Sequence, residues 1–340
     1  MKILFIGGSG TISSAITELL AGSQHQLTLI NRGNKNNKVP ENVEIIVGDI
    51  TDEDGIKRKL ENRTFDVVVN FIAFGLKDVE RDFRIFGNIT RQYVFISTAS
   101  AYQKPPVDSV ITESTPLVNP YWEYSRNKIK CEEFLMEKFR SGNFPVTIIR
   151  PSHTYGDKSI PVALYGQVGS WQVIRRMVAG KPVLIPGDGS TLWTMTHNTD
   201  FAKGFAGILG NPRALGQAIH ITSDEALTWN QIYETIASKL GVKLQPFYVP
   251  SHFLATAGKK YGYDYTGSLL GDKANNAVFD NSKIKRLVPG FDCMTRYDMG
   301  VDIALANIMA NPELQTTDSA FDEFCDEVIE AMNEIYDKFQ

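Results

Sequence analysis

The chain has 340 residues, 43% hydrophobic and 22% charged, which supplies a core for two packed units and excludes a disordered polymer. Its 35 Lys and Arg against 39 Asp and Glu give a net charge of −4, so nucleic acid is disfavoured as a general partner, which would call for a basic surplus. Cys131, Cys293 and Cys325 have neither disulfide-framework nor metal-ligand spacing, and no run approaches the ~18 apolar residues of a membrane span.

The first residues, Met1-Lys2-Ile3-Leu4-Phe5-Ile6, run straight into glycines and lack the longer apolar core and cleavage site of a signal peptide. Together with the cysteine usage this predicts a cytoplasmic protein. Nearly continuous apolar runs then predict buried strands at Ile3–Ile6, Leu27–Ile30, Val43–Val47, Val67–Phe71, Val94–Ser97 and Val146–Ile149. Helical patterns lie between them at Ser13–Leu20, Glu53–Leu60 and Tyr124–Phe139. Such alternation predicts an α/β fold with a doubly wound parallel sheet, the Rossmann arrangement, over residues 1–155. After Pro151 the pattern is irregular, with helices near Thr199–Leu209 and Trp229–Leu240. Residues 156–318 read as a smaller mixed substrate domain, with some return to the first unit near 190–222. The polar stretch Asn311–Ser319 reads as a linker. Residues 319–340 read as an amphipathic helix packed on the body, with an oligomer contact as the alternative. The chain is expected to be a monomer or homodimer.

The first strand ends in Gly7-Gly8-Ser9-Gly10-Thr11-Ile12-Ser13, a G-x-x-G-x-x-S pattern opening a helix. Gly7 permits a tight turn. Gly10 lets a pyrophosphate approach backbone N–H groups at a helix N-terminus, where the dipole favours anions. Ser13 is small enough for close helix–strand packing. This predicts a dinucleotide site, with a plain Gly-rich turn as the alternative. The second strand ends in Asn31-Arg32, with no acid for ribose hydroxyls and an Arg suited to a 2′-phosphate. NADP(H) is therefore favoured and NAD(H) remains open; the alternative is that Arg32 faces solvent in the basic loop Asn31–Lys38. Asp49, just past the third strand, either accepts from an adenine amino group or caps the following helix.

Tyr124-Ser125-Arg126-Asn127-Lys128 is Y-x-x-x-K at a helix start, a spacing that puts both side chains on one face. The Lys128 ammonium would lower the Tyr124 pKa and make the phenol a general acid/base; the alternative is an ordinary helix start. With the glycine loop and the strand end Ser97-Thr98-Ala99-Ser100-Ala101-Tyr102, this pair resembles the short-chain dehydrogenase/reductase superfamily. The likeness is to the extended branch of nucleotide-sugar epimerases and dehydratases. Arg150-Pro151-Ser152-His153-Thr154-Tyr155-Gly156, Ile185-Pro186-Gly187-Asp188-Gly189 and Asp280-Asn281-Ser282-Lys283 resemble later landmarks of that branch. The resemblance runs from Met1 to about Leu287. It implies catalytic roles for Thr98, Tyr124 and Lys128. It also implies a cofactor site that includes Gly7, Gly10, Thr11, Ile12, Asn31, Arg32, Asp49, Ile50, Ala73, Lys128, Pro151 and Ser152.

Departures from the pattern narrow the expectation. Thr98 is followed by Ala99-Ser100 and not by the Asp-Glu of 4,6-dehydratases. Trp193 stands where many nucleotide-sugar enzymes carry a phosphate-holding Arg. The segment Ala73–Gln92 is short for the fourth helix, which often builds the family's dimer interface. These features resemble an atypical subgroup that includes relatives of chloroplast stem-loop RNA-binding proteins. The expected activity is NAD(P)-dependent oxidoreduction or epimerisation at a secondary alcohol or ketone of a polar small molecule, with a sugar derivative as one candidate and a nucleotide sugar disfavoured by Trp193. The alternative is a non-catalytic dinucleotide binder with an RNA or protein partner. His153, Trp193 and His197 are the candidate substrate contacts, each histidine having a structural reading beside it. Glu123 and Trp122, just before Tyr124, could also contact substrate, although Glu123 also suits the helix dipole.

Overall fold

Side chains alternate across a strand, so a strand covered on both faces must be apolar throughout. The first strand meets that demand, and in the computed structural model, which describes residues 1–33 and 39–339, it lies inside the central sheet. Residues Asn34–Lys38 of the expected basic patch lie outside the described residues. The first part of the chain runs β1 Lys2–Ile6, α1 Thr11–Ala21, β2 Gln26–Asn31, β3 Glu44–Val47, α2 Glu53–Lys59, β4 Val67–Asn70, α3 Leu76–Phe86, β5 Tyr93–Ile96, α4 Glu123–Arg140 and β6 Val146–Pro151. It continues through β7 His153–Tyr155, α5 Trp171–Val178, β8 Val183–Pro186, β9 Leu192–His197, α6 Asn198–Ile208, β10 Ala218–Ile221 and β11 Ala226–Thr228. The remainder is α7 Trp229–Lys239, β12 Pro246–Val249, α8 Ser251–Ala257, α9 Ser282–Leu287, α10 Tyr297–Ala310 and α11 Ser319–Asp337.

The fold is α/β, built on a seven-stranded parallel sheet of order β10-β6-β5-β4-β1-β2-β3. Strand alternation divides its core in two. Ile3, Phe5, Val67, Val69, Val94 and Ile96 pack with α1 and α6 on one face. Leu4, Ile6, Val68, Tyr93 and Phe95 pack with Ile56, Val79 and Leu135 on the other. The strand order reverses between β1 and β4, the switch point at which parallel sheets of this kind leave a crevice outside the carboxyl ends of their strands. Two small sheets, β11-β9-β7 and β12-β8, lie beside the large one and share a third core with α5, α7, α10 and α11. Helix α11 sets Phe321, Phe324, Cys325, Val328 and Met332 into that core. Among the described residues no helix is long and apolar enough to cross a membrane.

Helix α3 occupies eleven residues of the Ala73–Gln92 segment. Its inward face carries Arg81 and Asp82, the latter fully buried and accepting from Arg81 Nη2 at 2.8 Å and Tyr93 Oη at 2.6 Å. An ion pair stands where an apolar stripe would otherwise announce the helix. The strand β10 is short and ends the sheet beside β6.

A second buried pair joins α4 to β6. Arg150 Nε donates to Glu132 Oε1 at 3.0 Å, with both side chains almost wholly enclosed. The guanidinium lies 4.8 Å from the Tyr102 ring centre, and Tyr102 Oη meets His220 Nδ1 at 3.1 Å. Glu132→Ala would leave the Arg150 charge buried without its partner. The expected loss is about 3–5 kcal/mol, read as a lower urea midpoint with unchanged slope. A midpoint within error of wild type would show that the pair is dispensable.

Candidate active site

The turn after β1 is set by backbone sterics. Gly7 and Gly8 have φ of +93° and +122°, where L side chains are strained. A Cβ on Gly8 would also stand 2.6 Å from Leu29 Cδ2. Gly7 N–H donates to Ile30 O at 3.1 Å, closing the turn against β2. Gly10 precedes α1, and its N–H donates to the buried Ser13 Oγ at 2.9 Å. Thr11 and Ile12 begin the helix, whose first turn holds no acidic residue. Their amides form a cradle that suits an anion. Asn198 Nδ2 donates to Thr11 O at 2.9 Å and ties α1 to the start of α6.

Beyond β2, Asn31 Oδ1 accepts from Gly33 N–H at 2.8 Å, and Arg32 is exposed. Asp49 Oδ1 accepts from Thr51 N–H at 2.9 Å and Thr51 Oγ1 at 2.7 Å. Those bonds first, and Arg32 among nearby charges, hold its carboxyl below the usual range. The helix cap is Asp52, whose Oδ1 accepts from Gly55 N–H at 3.0 Å. Asp49 therefore does not cap α2, which removes that alternative reading. Ile50 is buried beneath it.

Helix α4 turns Lys128 inward. Its Nζ donates to Ala73 O and Ile96 O, both at 2.7 Å, and lies 4.8 Å from the ring centres of Phe74 and Phe95. No carboxylate pairs with it among the described residues, and burial lowers its pKa to about 8. One turn earlier, Tyr124 has its ring centre 5.7 Å from that Nζ. Burial holds the phenol above its ordinary value, while the facing Thr98 hydroxyl favours the phenolate. The expected lowering by Lys128 is thus not what the structure shows: the ammonium is over the ring, two carbonyls engage it, and desolvation wins. Thr98 Oγ1 meets Ser100 Oγ at 2.9 Å, and Ser100 Oγ meets Ser125 Oγ at 2.7 Å. Neither Ser100 nor Ser125 is marked by spacing in the sequence.

Thr98, Tyr124, Ile12, Pro151 and Ser152 line one cavity of about 340 Å³, with His153 and Trp193. Burial first, then Lys273, pushes the His153 pKa down to about 3, so the imidazole is neutral. Trp193 is largely a core residue, stacked on Trp229 with centres 5.4 Å apart, and its Nε1 donates to Lys273 O at 3.1 Å. His197 does not line this cavity. It precedes α6, where Nδ1 meets Thr199 Oγ1 at 2.7 Å, and its ring packs edge-on to Tyr155. The helix-capping geometry overrides the expected substrate contact. Trp122 also lines the cavity, whereas Glu123 is exposed in the first turn of α4. Among the described residues no group of three or more His, Cys, Asp or Glu could hold a metal ion.

Residues 3–89 and 84–222 match the profile of the NAD dependent epimerase/dehydratase family. The chain belongs to this family. It is 25% identical to 2'-dehydrokanamycin reductase of Streptomyces kanamyceticus over 86% of this chain and 80% of that one. It is 27% identical to the chloroplast stem-loop binding protein of 41 kDa b of Arabidopsis thaliana, over 78% of this chain and 70% of the relative. Its fold matches UDP-glucuronic acid 4-epimerase of Bacillus cereus, solved in complex with NAD, with a TM-score of 0.72 and 18% identity. That match covers 93% of this chain and 100% of the other.

The buried lysine gives a signed pH dependence. Between about 8 and roughly 10.4 the unfolded chain binds a proton at Lys128 that the folded chain has released. Its contribution to stability is constant below that window and rises with pH across it. NMR of isotope-labelled lysines, assigned with Lys128→Met, should show one ammonium titrating near 8. A Lys128 signal titrating in the ordinary range above 10 would contradict the assignment of an uncompensated buried charge.

Proposed function

We propose that this family member is an NAD(P)-dependent oxidoreductase or epimerase acting at a secondary alcohol or ketone of a polar, sugar-derived small molecule. The observation that carries the reading is that Thr98 and Tyr124 line one cavity, with Lys128 behind Tyr124, 5.7 Å from its ring centre and bonded to the carbonyl that ends β5. The division of labour we assign is a dinucleotide unit over 1–155, a mainly substrate-binding unit over 156–318 that returns α6 and β10 to the first unit, and the terminal helix. The glycine cradle fits a dinucleotide, because Gly10 at the start of α1 has only Ser13 Oγ, at 3.5 Å, near the place of a Cβ, and the first helical turn carries no acid to repel an anion. When bound, the nicotinamide supplies or accepts the hydride.

The chain's own residues handle the proton. Tyr124 Oη donates its proton to the substrate oxygen on reduction and takes it back on oxidation. Thr98 Oγ1 holds that oxygen, while the Ser100–Ser125 chain fixes the Thr98 rotamer. Lys128 spends two donors on Ala73 O and Ile96 O, leaving one N–H for a ribose hydroxyl. Ala73 thus enters the site through its carbonyl. The reductase relative and the NAD complex of the Bacillus cereus epimerase support this reading.

Tyr124→Phe deletes one hydroxyl and keeps the ring. It should preserve fold and dinucleotide binding and lower turnover by about 10²–10⁴ on a carbonyl substrate panel. Lys128→Ala should weaken dinucleotide binding as well. The stem-loop binding relative favours a second reading, a dinucleotide binder with an RNA partner. Under it, Tyr124→Phe would leave the protein's cellular function intact.

The cofactor preference we assign is NADP(H), from the exposed Arg32 and the absence of an acid at Asn31. NADPH should bind roughly tenfold to hundredfold tighter than NADH, and Arg32→Ala should abolish the difference. Equal affinities in a fluorescence titration would leave Arg32 as a solvent-facing residue.

A further inference from the structure

The cavity beside Tyr124 contains charges that proton and hydride transfer do not use. Lys104 enters from the segment after β5, and Asp272 and Lys273 come from the end of a π-helical segment, Thr266–Lys273. Lys104 Nζ is 3.8 Å from Asp272 Oδ1, outside hydrogen-bond reach, with only 1% of the lysine side chain exposed. Lys273 is 6% exposed, yet its Nζ makes no hydrogen bond or ion pair to any described residue. It lies 5.6 Å from the Tyr165 ring centre, on the cavity wall. His153, beside it, is neutral and offers no compensating charge.

The placement is enforced by packing. A Cβ on Gly267 would stand 2.1 Å from Trp122 Cδ1, so only glycine lets the indole lie against this segment. Asn119 Nδ2 donates to both Ser100 O and Gly271 O at 2.7 Å, joining the segment's end to the Thr98 loop. Single π-helical turns recur where function displaces regular geometry. Two ammonium groups and one carboxylate lining a partly open cavity leave an excess of positive charge that an anionic ligand would pair. A carboxylate or phosphate oxygen between Lys104 and Lys273 would do so.

Taking the cavity as the substrate site of the proposed enzyme, we infer that Lys104 and Lys273 form an anion-recognising subsite. It selects substrates that carry a carboxylate or phosphate group and disfavours neutral and cationic ones.

The test is calorimetric titration of the full chain, saturated with NADPH, with glucuronate, glucose 6-phosphate, glucose and glucosamine. At least one anion should bind about tenfold or more tighter than glucose, and glucosamine should not exceed glucose. The carboxylate and phosphate arms identify which group the subsite accepts. Lys273→Met should erase the preference, by about ten- to hundredfold, while NADPH affinity and melting temperature stay near wild type. Lys104→Met should act in the same direction; if it does not fold, Lys273→Met decides, because its Nζ makes no hydrogen bond or ion pair to a described residue and touches only the Tyr165 ring. Equal binding of anions and glucose, no binding of either anion, or an unchanged preference in Lys273→Met would overturn the subsite. Anion binding without turnover of any carbonyl would keep the subsite and remove the enzyme. Turnover of neutral carbonyls without anion preference would do the reverse.

Discussion

One buried ammonium organises the centre of this molecule. Lys128 sits where the carboxyl ends of β4 and β5 come together, and it bonds the carbonyl of Ala73, beyond β4, and that of Ile96, the last residue of β5. Two aromatic rings flank it at 4.8 Å, so part of its lost hydration is replaced by π faces. The compensation is incomplete, which is why its pKa falls to about 8. The contact fixes the rotation of α4 about its axis. With Lys128 pinned, Tyr124 must face Thr98, and Ser125 must face Ser100.

The inward face of α4 is consequently polar where a helix of this length usually buries an apolar stripe. Ser125, Lys128 and Glu132 are all enclosed, and each is satisfied by a different neighbour: Ser100, the strand-end carbonyls and Arg150. From Arg150 the network continues through Tyr102 to His220 and the Asp280 carbonyl. The same helix thus positions the candidate catalytic pair and locks the large sheet to the later part of the chain. A polar network of this kind is stable only when every member is paired, so it couples the site's geometry to global folding.

The cavity beside this helix is unequally charged. On one wall stand hydroxyls and a phenol; on the other stand Lys104, Asp272 and Lys273. Family membership accounts for the first wall. The second carries the proposed choice of substrate. Trp193 follows the same logic: its indole lies in the core on Trp229, and its N–H orients the Lys273 carbonyl.

The sequence by itself determined what depends on local chemistry. Apolar runs located β1 to β6 within one or two residues, because a strand covered on both faces is mostly apolar; β3, expected to be buried, is instead the sheet's edge strand, with Glu44 and Val47 exposed. Gly7 and Gly8 announced a turn only glycine enters without strain, and the spacing of Tyr124 and Lys128 put them on one helix face. Tertiary structure decided everything that depends on which distant groups meet. It gave the α2 cap to Asp52, drew His197 into capping α6, and let burial outweigh Lys128 at the Tyr124 phenol. It also brought Lys104 to Asp272 and Lys273, which no spacing connects. A charge's role is set by its desolvation and its partners, and both are properties of the packed chain.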